Sequence, residues 1–318
     1  MYLNRLWCAS FAVLMFSARA SGGSLSSIVV YGDSLSDNGN LFATTGQPGS
    51  PYYMGRRSNG PVTVEQLAAL SAATLKDYAW IGATTGIGNY GDNGTPTSFG
   101  TYGLPGMLTE LKDTQSQISA YKGGLFVVWG GPNDFLSPSP SDRTPQQQIA
   151  RAVGDLVTIV DTLKGDGAKN ILVPGMPDLG LTPYFLSLGS GASAQATALT
   201  NAFNATLASE LPSGVKYYDT AGLLRSIVAD PSAYGFTDVR DPCFNGSTVC
   251  ADPSKYLFFD SFHPTTQADA FLAEGFDRTL TPEPAGVTLL TVGLIVLGCV
   301  CRNRLVGERR HEVHEHVR

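Results

Sequence analysis

Ser27-Ile28-Val29-Val30-Tyr31-Gly32-Asp33-Ser34-Leu35 sets a run of strand formers directly against a turn that carries a serine. β-Branched and aromatic residues suit a pleated strand, and a run apolar on both faces suits a strand covered on both sides. Leu125-Phe126-Val127-Val128-Trp129 and Ile171-Leu172-Val173 repeat the pattern, while Val215-Lys216-Tyr217-Tyr218 is a weaker, partly polar version. Between them, residues 62–70, 107–121, 145–163, 192–211 and 265–276 show helical spacing. Ile149, Val153, Leu156, Ile159 and Val160 are the clearest stripe. Alternation of this kind predicts an α/β fold of three layers, α/β/α, around a central parallel sheet. Residues 86–103 hold six glycines and are expected to form a polar surface loop near the site. Residues 137–141 and 186–191 are further loops. With no internal repeat and no linker before residue 277, one domain is the economical reading.

The two ends differ from this middle. Residues 1–20 have the layout of a secretory signal peptide: Arg5, an apolar core from Leu6 to Phe16, then Ala18-Arg19-Ala20 as a small-x-small cleavage site. A plain N-terminal anchor is the alternative. Near the other end, residues 285–301 form an uncharged apolar run of about 17 residues, at the lower edge of what spans a bilayer. Arg302, Arg304, Arg309 and Arg310 follow it, which predicts a cytoplasmic tail with the main domain outside. Pro282-Glu283-Pro284 stand just before the run. The order of these parts resembles the bacterial PEP-CTERM sorting signal. That resemblance implies recognition by an exosortase-type processing enzyme, removal of the tail and delivery to the cell surface. A permanent single-pass anchor is the alternative.

Charge and cysteines narrow the class. The chain has a formal net charge of −6. Setting aside two arginines in residues 1–20, and five arginines with three glutamates from Arg302 onward, leaves 14 basic against 24 acidic residues. An acidic exported domain is not expected to bind nucleic acid through charge. Cys243 and Cys250 are the two cysteines of the middle region. In an oxidising compartment they are expected to pair, with Asn245-Gly246 turning the loop between them. A metal site is the alternative, but no further Cys or His stands near at ligand spacing, so no metal and no cofactor is expected.

Only one histidine, His263, lies between the two ends; His311, His314 and His316 fall in the tail. It is therefore the single imidazole available there as a general base. Asp260 stands three residues before it and Pro264 directly after, at the expected first turn of a closing helix. Ser34 follows the first strand, where open α/β sheets place their sites, and its own N–H could face an oxyanion. Gly82, in Trp80-Ile81-Gly82-Ala83, could bring a second backbone N–H close. Asn133, in Gly130-Gly131-Pro132-Asn133-Asp134, could add a side-chain N–H. Each phrase also has an ordinary structural explanation: a helix cap at Ser34, turns at Gly82 and Asn133, a surface histidine beside a cap. It is their joint order along one chain that argues for chemistry. Asp37 is expected to brace the loop after Ser34, and Asp178 to be a turn residue. Tyr52, Tyr53, Tyr90 and Tyr102 either line a pocket or simply pack.

Tyr31-Gly32-Asp33-Ser34-Leu35-Ser36-Asp37, with Gly39-Asn40, resembles the first block of the GDSL esterase/lipase (SGNH hydrolase) family. Gly55-Arg56-Arg57-Ser58-Asn59-Gly60-Pro61, Gly131-Pro132-Asn133-Asp134 and Asp260-Ser261-Phe262-His263-Pro264 resemble its later segments, in the longer lipase-like branch. The resemblance implies a flavodoxin-like SGNH-hydrolase domain over residues 21–280, with 281–318 as sorting motif, membrane segment and basic tail. It implies Ser34 as nucleophile, His263 as base, Asp260 as its orienter, and Ser34, Gly82 and Asn133 as the oxyanion hole. The expected function is an exported serine ester hydrolase acting on lipid or acylated-glycan esters. A catalytically silent surface binding protein is the rival. Two positions depart from the family pattern: Asp77 where Asn is usual, and Ile81 where Gly is frequent.

Overall fold

The computed structural model describes residues 25–281. The expected signal peptide, Pro-Glu-Pro motif, membrane segment and basic tail lie outside the described residues. Among the described residues no helix is long and apolar enough to cross a membrane.

The central sheet has five strands: β1 (Ser27–Gly32), β2 (Thr74–Asp77), β3 (Leu125–Trp129), β4 (Asn170–Pro174) and β5 (Lys216–Tyr218). Their order is β2-β1-β3-β4-β5, and every neighbouring pair is parallel. The helices in chain order are α1 (Asn40–Thr45), α2 (Thr63–Ser71), α3 (Met107–Thr114), α4 (Pro132–Leu136) and α5 (Pro145–Gly165), then α6 (Pro183–Ser187), α7 (Ser190–Glu210), α8 (Thr220–Ala229) and α9 (Thr266–Leu280). Strands β6 (Asp238–Pro242) and β7 (Tyr256–Phe258) pair in a small second sheet.

Side-chain alternation sorts the core into two layers. Val29, Tyr31, Phe126, Val128, Ile171 and Val173 face one side, packed on α3, α5 and α7. Ile28, Val30, Val127, Trp129 and Leu172 face the other, packed on α2 and α9. Burying one such side chain contributes about 1.5–3 kcal/mol, so this double layer is the main stabilising element. The expected three-layer α/β/α architecture is what forms. The winding direction reverses between β1 and β3, and a crevice opens beyond the carboxyl ends of these two strands.

Local departures have physical reasons. Strand β2 was not expected, because at the sheet edge its residues alternate between exposed and half-buried and carry no apolar run. The helix expected over 107–121 ends at Thr114 and continues as a tighter 3-10 turn, Gln115–Tyr121. Residues 86–103 are not simply a surface loop. Gly86, Gly88, Asn89 and Asp92 are buried, and only the stretch from Thr97 onward is mostly exposed. Asn89 holds the buried part together: its amide donates to the carbonyls of Ile81 (3.0 Å) and Pro105 (3.1 Å).

Candidate active site

Ser34 lies just past β1, in a turn, so it does not cap a helix. The Asp33 carbonyl accepts from the N–H groups of Ser36 and Asp37, both at 3.0 Å, making one isolated helical turn. Helix α1 begins only at Asn40. Asp37 then ties this turn to the loop after β2. Its carboxylate accepts from Gly39 N (2.7 Å), Asn40 N (2.6 Å) and, across the crevice, Ile81 N (2.8 Å). Asn40 adds a second stitch, donating to Ala79 O at 2.8 Å. Asp77 adds a third, accepting from Asn38 N at 2.9 Å.

Asp260 and His263 share one pinched loop between β7 and α9. Phe259 N donates to His263 O (2.8 Å) and Thr265 N to Leu257 O (3.0 Å). Pro264 therefore precedes α9 by two residues instead of sitting in its first turn; Thr265 caps the helix through Ala268 N (3.3 Å). His263 Nδ1 lies 2.8 Å and 2.9 Å from the two Asp260 oxygens, and its Nε2 lies 2.8 Å from Ser34 Oγ. Asp260 also accepts from the backbone N–H of Phe262 (2.9 Å) and His263 (2.8 Å), and from the Tyr52 hydroxyl (2.8 Å). Burial pushes this carboxyl up, but the facing His263 and these hydrogen bonds outweigh it and hold Asp260 well below the usual carboxylate range.

Gly82 and Asn133 border the same crevice as Ser34. Gly82 has φ +83°, and a Cβ there would stand 2.4 Å from Asn89 Oδ1, so no other residue fits this bend. Asn133 opens α4 after β3, and one of its amide hydrogens is taken by Ala83 O at 3.0 Å. That bond fixes the amide and leaves its other N–H unspent. Among the described residues, the backbone N–H groups of Ser34 and Gly82 donate to no protein acceptor.

The crevice has a volume of about 470 Å³. Leu136, Leu179, Leu224, Phe258 and Phe262 form much of its apolar wall, with Tyr184 at one side. Tyr52 and Tyr90 also line it, whereas Tyr102 is 81% exposed. Cys243 and Cys250 are joined as a disulfide. Within that small loop, Phe244 packs edge-on against Tyr52, and Asn245 and Gly246 face the cavity. Asp178 is a turn residue, accepting from Gly180 N (3.1 Å), and it also pairs with Arg225 (2.8 Å).

Sequence reasoning named Tyr52 only as a candidate pocket residue, and it missed the positioning roles of Tyr52, Asn89 and Glu110. Tyr52 reaches Asp260 from 208 residues away, which no local pattern signals. Asn89 was lost among glycines. Glu110 accepts from Gly32 N (3.0 Å) and Trp80 N (3.2 Å), bracing both site loops from below. A charged residue between Met107 and Leu111 on the buried face of α3 was its only signal.

Buried acids set the pH response of the fold. Burial pushes Asp33 up to about 7 and Asp269 up to about 8. A carboxyl raised by folding contributes stability that is fully present below its unfolded value and is lost as pH rises through the folded one. Asp260, held low, behaves oppositely and loses its contribution in strong acid. We therefore expect thermal stability to be highest near about pH 4, where Asp33 and Asp269 keep their protons and Asp260 is ionised, and Tm to fall by about 5 °C or more between there and about pH 9. Asp269→Asn is expected to flatten the alkaline part of that decline. Thermal melts across pH would decide it; a Tm that holds or rises toward pH 9 would refute the assignment.

A family model for GDSL-like lipase/acylhydrolase proteins matches residues 28–276, nearly the whole described region. The chain belongs to this family. As a member it is a carboxylic ester hydrolase on a central parallel sheet flanked by helices. It is 30% identical over 244 residues to a phosphatidylcholine-sterol acyltransferase of Aeromonas hydrophila, covering 74% of this chain and 70% of that protein. A GDSL esterase/lipase of Arabidopsis thaliana is 25% identical, over 88% of this chain and 99% of that one. The esterase EstA of Pseudomonas aeruginosa is 29% identical, over 88% of this chain and 50% of its own length.

Proposed function

We propose that this chain is an exported serine ester hydrolase that turns over through an acyl-enzyme. One observation carries the reading: an unbroken hydrogen-bonded series, Tyr52–Asp260–His263–Ser34, ends beside two unengaged backbone N–H groups. His263 Nε2 takes the Ser34 proton as Oγ attacks the ester carbonyl carbon. Asp260 holds the Nδ1–H and stabilises the imidazolium that forms. The N–H groups of Ser34 and Gly82, with the second amide N–H of Asn133, receive the oxyanion. Each such donor is worth about 3 kcal/mol of barrier. His263 then protonates the leaving alcohol, and water, activated by the same imidazole, releases the acyl group from Ser34.

The apolar walls suit the acyl chain of a lipid or acylated-glycan ester. Export is supported by the residue 1–20 pattern and by the Cys243–Cys250 disulfide, which belongs to an oxidising compartment. Pro282-Glu283-Pro284 and the apolar run after it support processing by an exosortase-type enzyme, with a membrane contact through that segment beforehand. Intact-mass analysis of protein recovered from the cell surface or medium tests both parts. A slow ester is expected to leave one acyl adduct on Ser34, and the polypeptide mass to lack both termini. No adduct under turnover would sink the acyl-enzyme, and a full-length mass would sink the processing.

A further inference from the structure

Two adjacent arginines, Arg56 and Arg57, are used in opposite ways. Arg56 makes a two-pronged pair with Glu65, Nε to Oε2 at 3.1 Å and Nη2 to Oε1 at 2.6 Å, and also donates to Met54 O at 2.7 Å. Its charge is spent on holding the segment. Arg57 turns the other way. Its guanidinium carbon lies 5.1 Å from the centre of the Tyr52 ring, and its side chain is half-buried in the crevice wall with Ser34 and His263. Among the described residues no carboxylate stands within ion-pair distance of it. Of the two carboxylates of the same wall, Asp260 is committed to His263 and Tyr52, while Asp33 lends one oxygen to Leu35 N in the turn beneath Ser34 and its other oxygen has no hydrogen-bond partner among the described residues.

The backbone that presents Arg57 is clamped. Gly55 has φ +84°, and a Cβ there would stand 2.2 Å from the Cβ of Phe42, so only glycine makes this bend. On the far side Ser58 Oγ donates to Pro264 O (3.0 Å) and Asp269 Oδ2 (3.2 Å), and Tyr53 N donates to Ser58 O (2.9 Å). Tyr52 is itself held edge-on between Phe244 and Phe259. The guanidinium therefore rests on a rigid ring. A guanidinium has five N–H donors, so contact with one ring leaves donors that can serve a carboxylate or phosphate. A half-buried cation without a counter-charge is costly to keep, except where a ligand brings the charge.

We propose that Arg57 is the anion-recognition side chain of this site, so that the preferred substrate is an ester bearing a phosphate or carboxylate near the bond that is cut. The inference rests on the ester-hydrolase reading above and names the substrate class of the same crevice. The test uses two matched ester pairs and reads the ratio of kcat/KM, charged over neutral. p-Nitrophenyl hydrogen succinate against p-nitrophenyl butyrate places a carboxylate on the acyl side. 1-Acylglycerol 3-phosphate against 1-acylglycerol places a phosphate on the alcohol side. The expected result is a preference of about tenfold or more for the charged member of at least one pair. Arg57→Gln should lower that ratio about ten- to hundredfold, the range for a hydrogen bond to a charged group. Arg57→Lys, which keeps the charge but loses the fork, should fall between them. A wild-type ratio near one in both pairs overturns the proposal. So does an equal loss on both members in Arg57→Gln, which would make Arg57 a mere support for Tyr52. If all four esters are hydrolysed no faster than by Ser34→Ala, the hydrolase reading itself fails.

Discussion

Ser34→Ala and His263→Ala are each expected to lower kcat for p-nitrophenyl butyrate by about 10⁴- to 10⁶-fold, and the double variant to be no worse than either alone. The reason is that the two side chains act as one unit. Ser34 Oγ is a nucleophile only while Nε2, 2.8 Å away, accepts its proton. Among the described residues no second histidine can substitute, because His263 is the only one between Leu25 and Thr281. Neither change opens a large void, since serine loses one hydroxyl and His263 sits at the crevice. Circular dichroism and melting curves should therefore stay close to wild type. A fluorophosphonate probe should label the wild-type protein and leave Ser34→Ala unlabelled. Activity retained in either single variant would defeat the mechanism. Failure of the probe to label folded wild type would instead favour a silent binding protein on this fold.

Asp260→Asn is expected to lower kcat by about 10⁴-fold with little change in KM. The carboxylate accepts at both oxygens: backbone N–H groups and Nδ1 on one side, Tyr52 and Nδ1 on the other. An amide has one accepting oxygen, and the Phe262 and His263 N–H groups would claim it. The amide nitrogen would then face Nδ1 as a donor and force the proton onto Nε2, the tautomer that cannot take the Ser34 proton. Asp260→Ala, which presents no competing donor, should lose the charge but leave the tautomer free. Kinetics of the two variants side by side would expose this; equal losses would argue that charge alone matters.

The departures from the family pattern are resolved by where the side chains go. Asp77 is half-buried at the end of β2, and burial pushes its carboxyl above the usual carboxylate range. It still accepts from the N–H groups of Asn38 and Ala79. Ile81 contributes through its backbone. Its N–H goes to Asp37 while its carbonyl accepts from Asn89, and the loop carrying Gly82 is held from both directions.

Strands β1, β3 and β4 were legible because each is covered on both faces, and such burial demands an uninterrupted apolar run. The long helices α5 and α7 were legible because one face is buried over many turns. Strand β2 and helices α1, α4, α6 and α8 were not, being too short or too near the surface for a repeating pattern to accumulate. The same division runs through the site. Ser34, Asn133, Asp260 and His263 stand in short phrases tied to strand ends, so chain order alone made them candidates. Arg56 and Arg57 look equivalent in sequence. Only the path of the backbone sends one to Glu65 and the other over Tyr52 into the crevice.

By itself the sequence determined the parallel sheet, the turn that carries Ser34 and the pairing of Asp260 with His263 on one loop. Hydrophobic periodicity and turn chemistry are local properties written residue by residue. Tertiary structure decided the rest: which tyrosine steadies Asp260, which buried acid braces Gly32, and which arginine keeps its charge for a ligand. Those contacts join positions tens to hundreds of residues apart, and they exist only once the sheet order has brought the loops after β1 and β3 to the same edge.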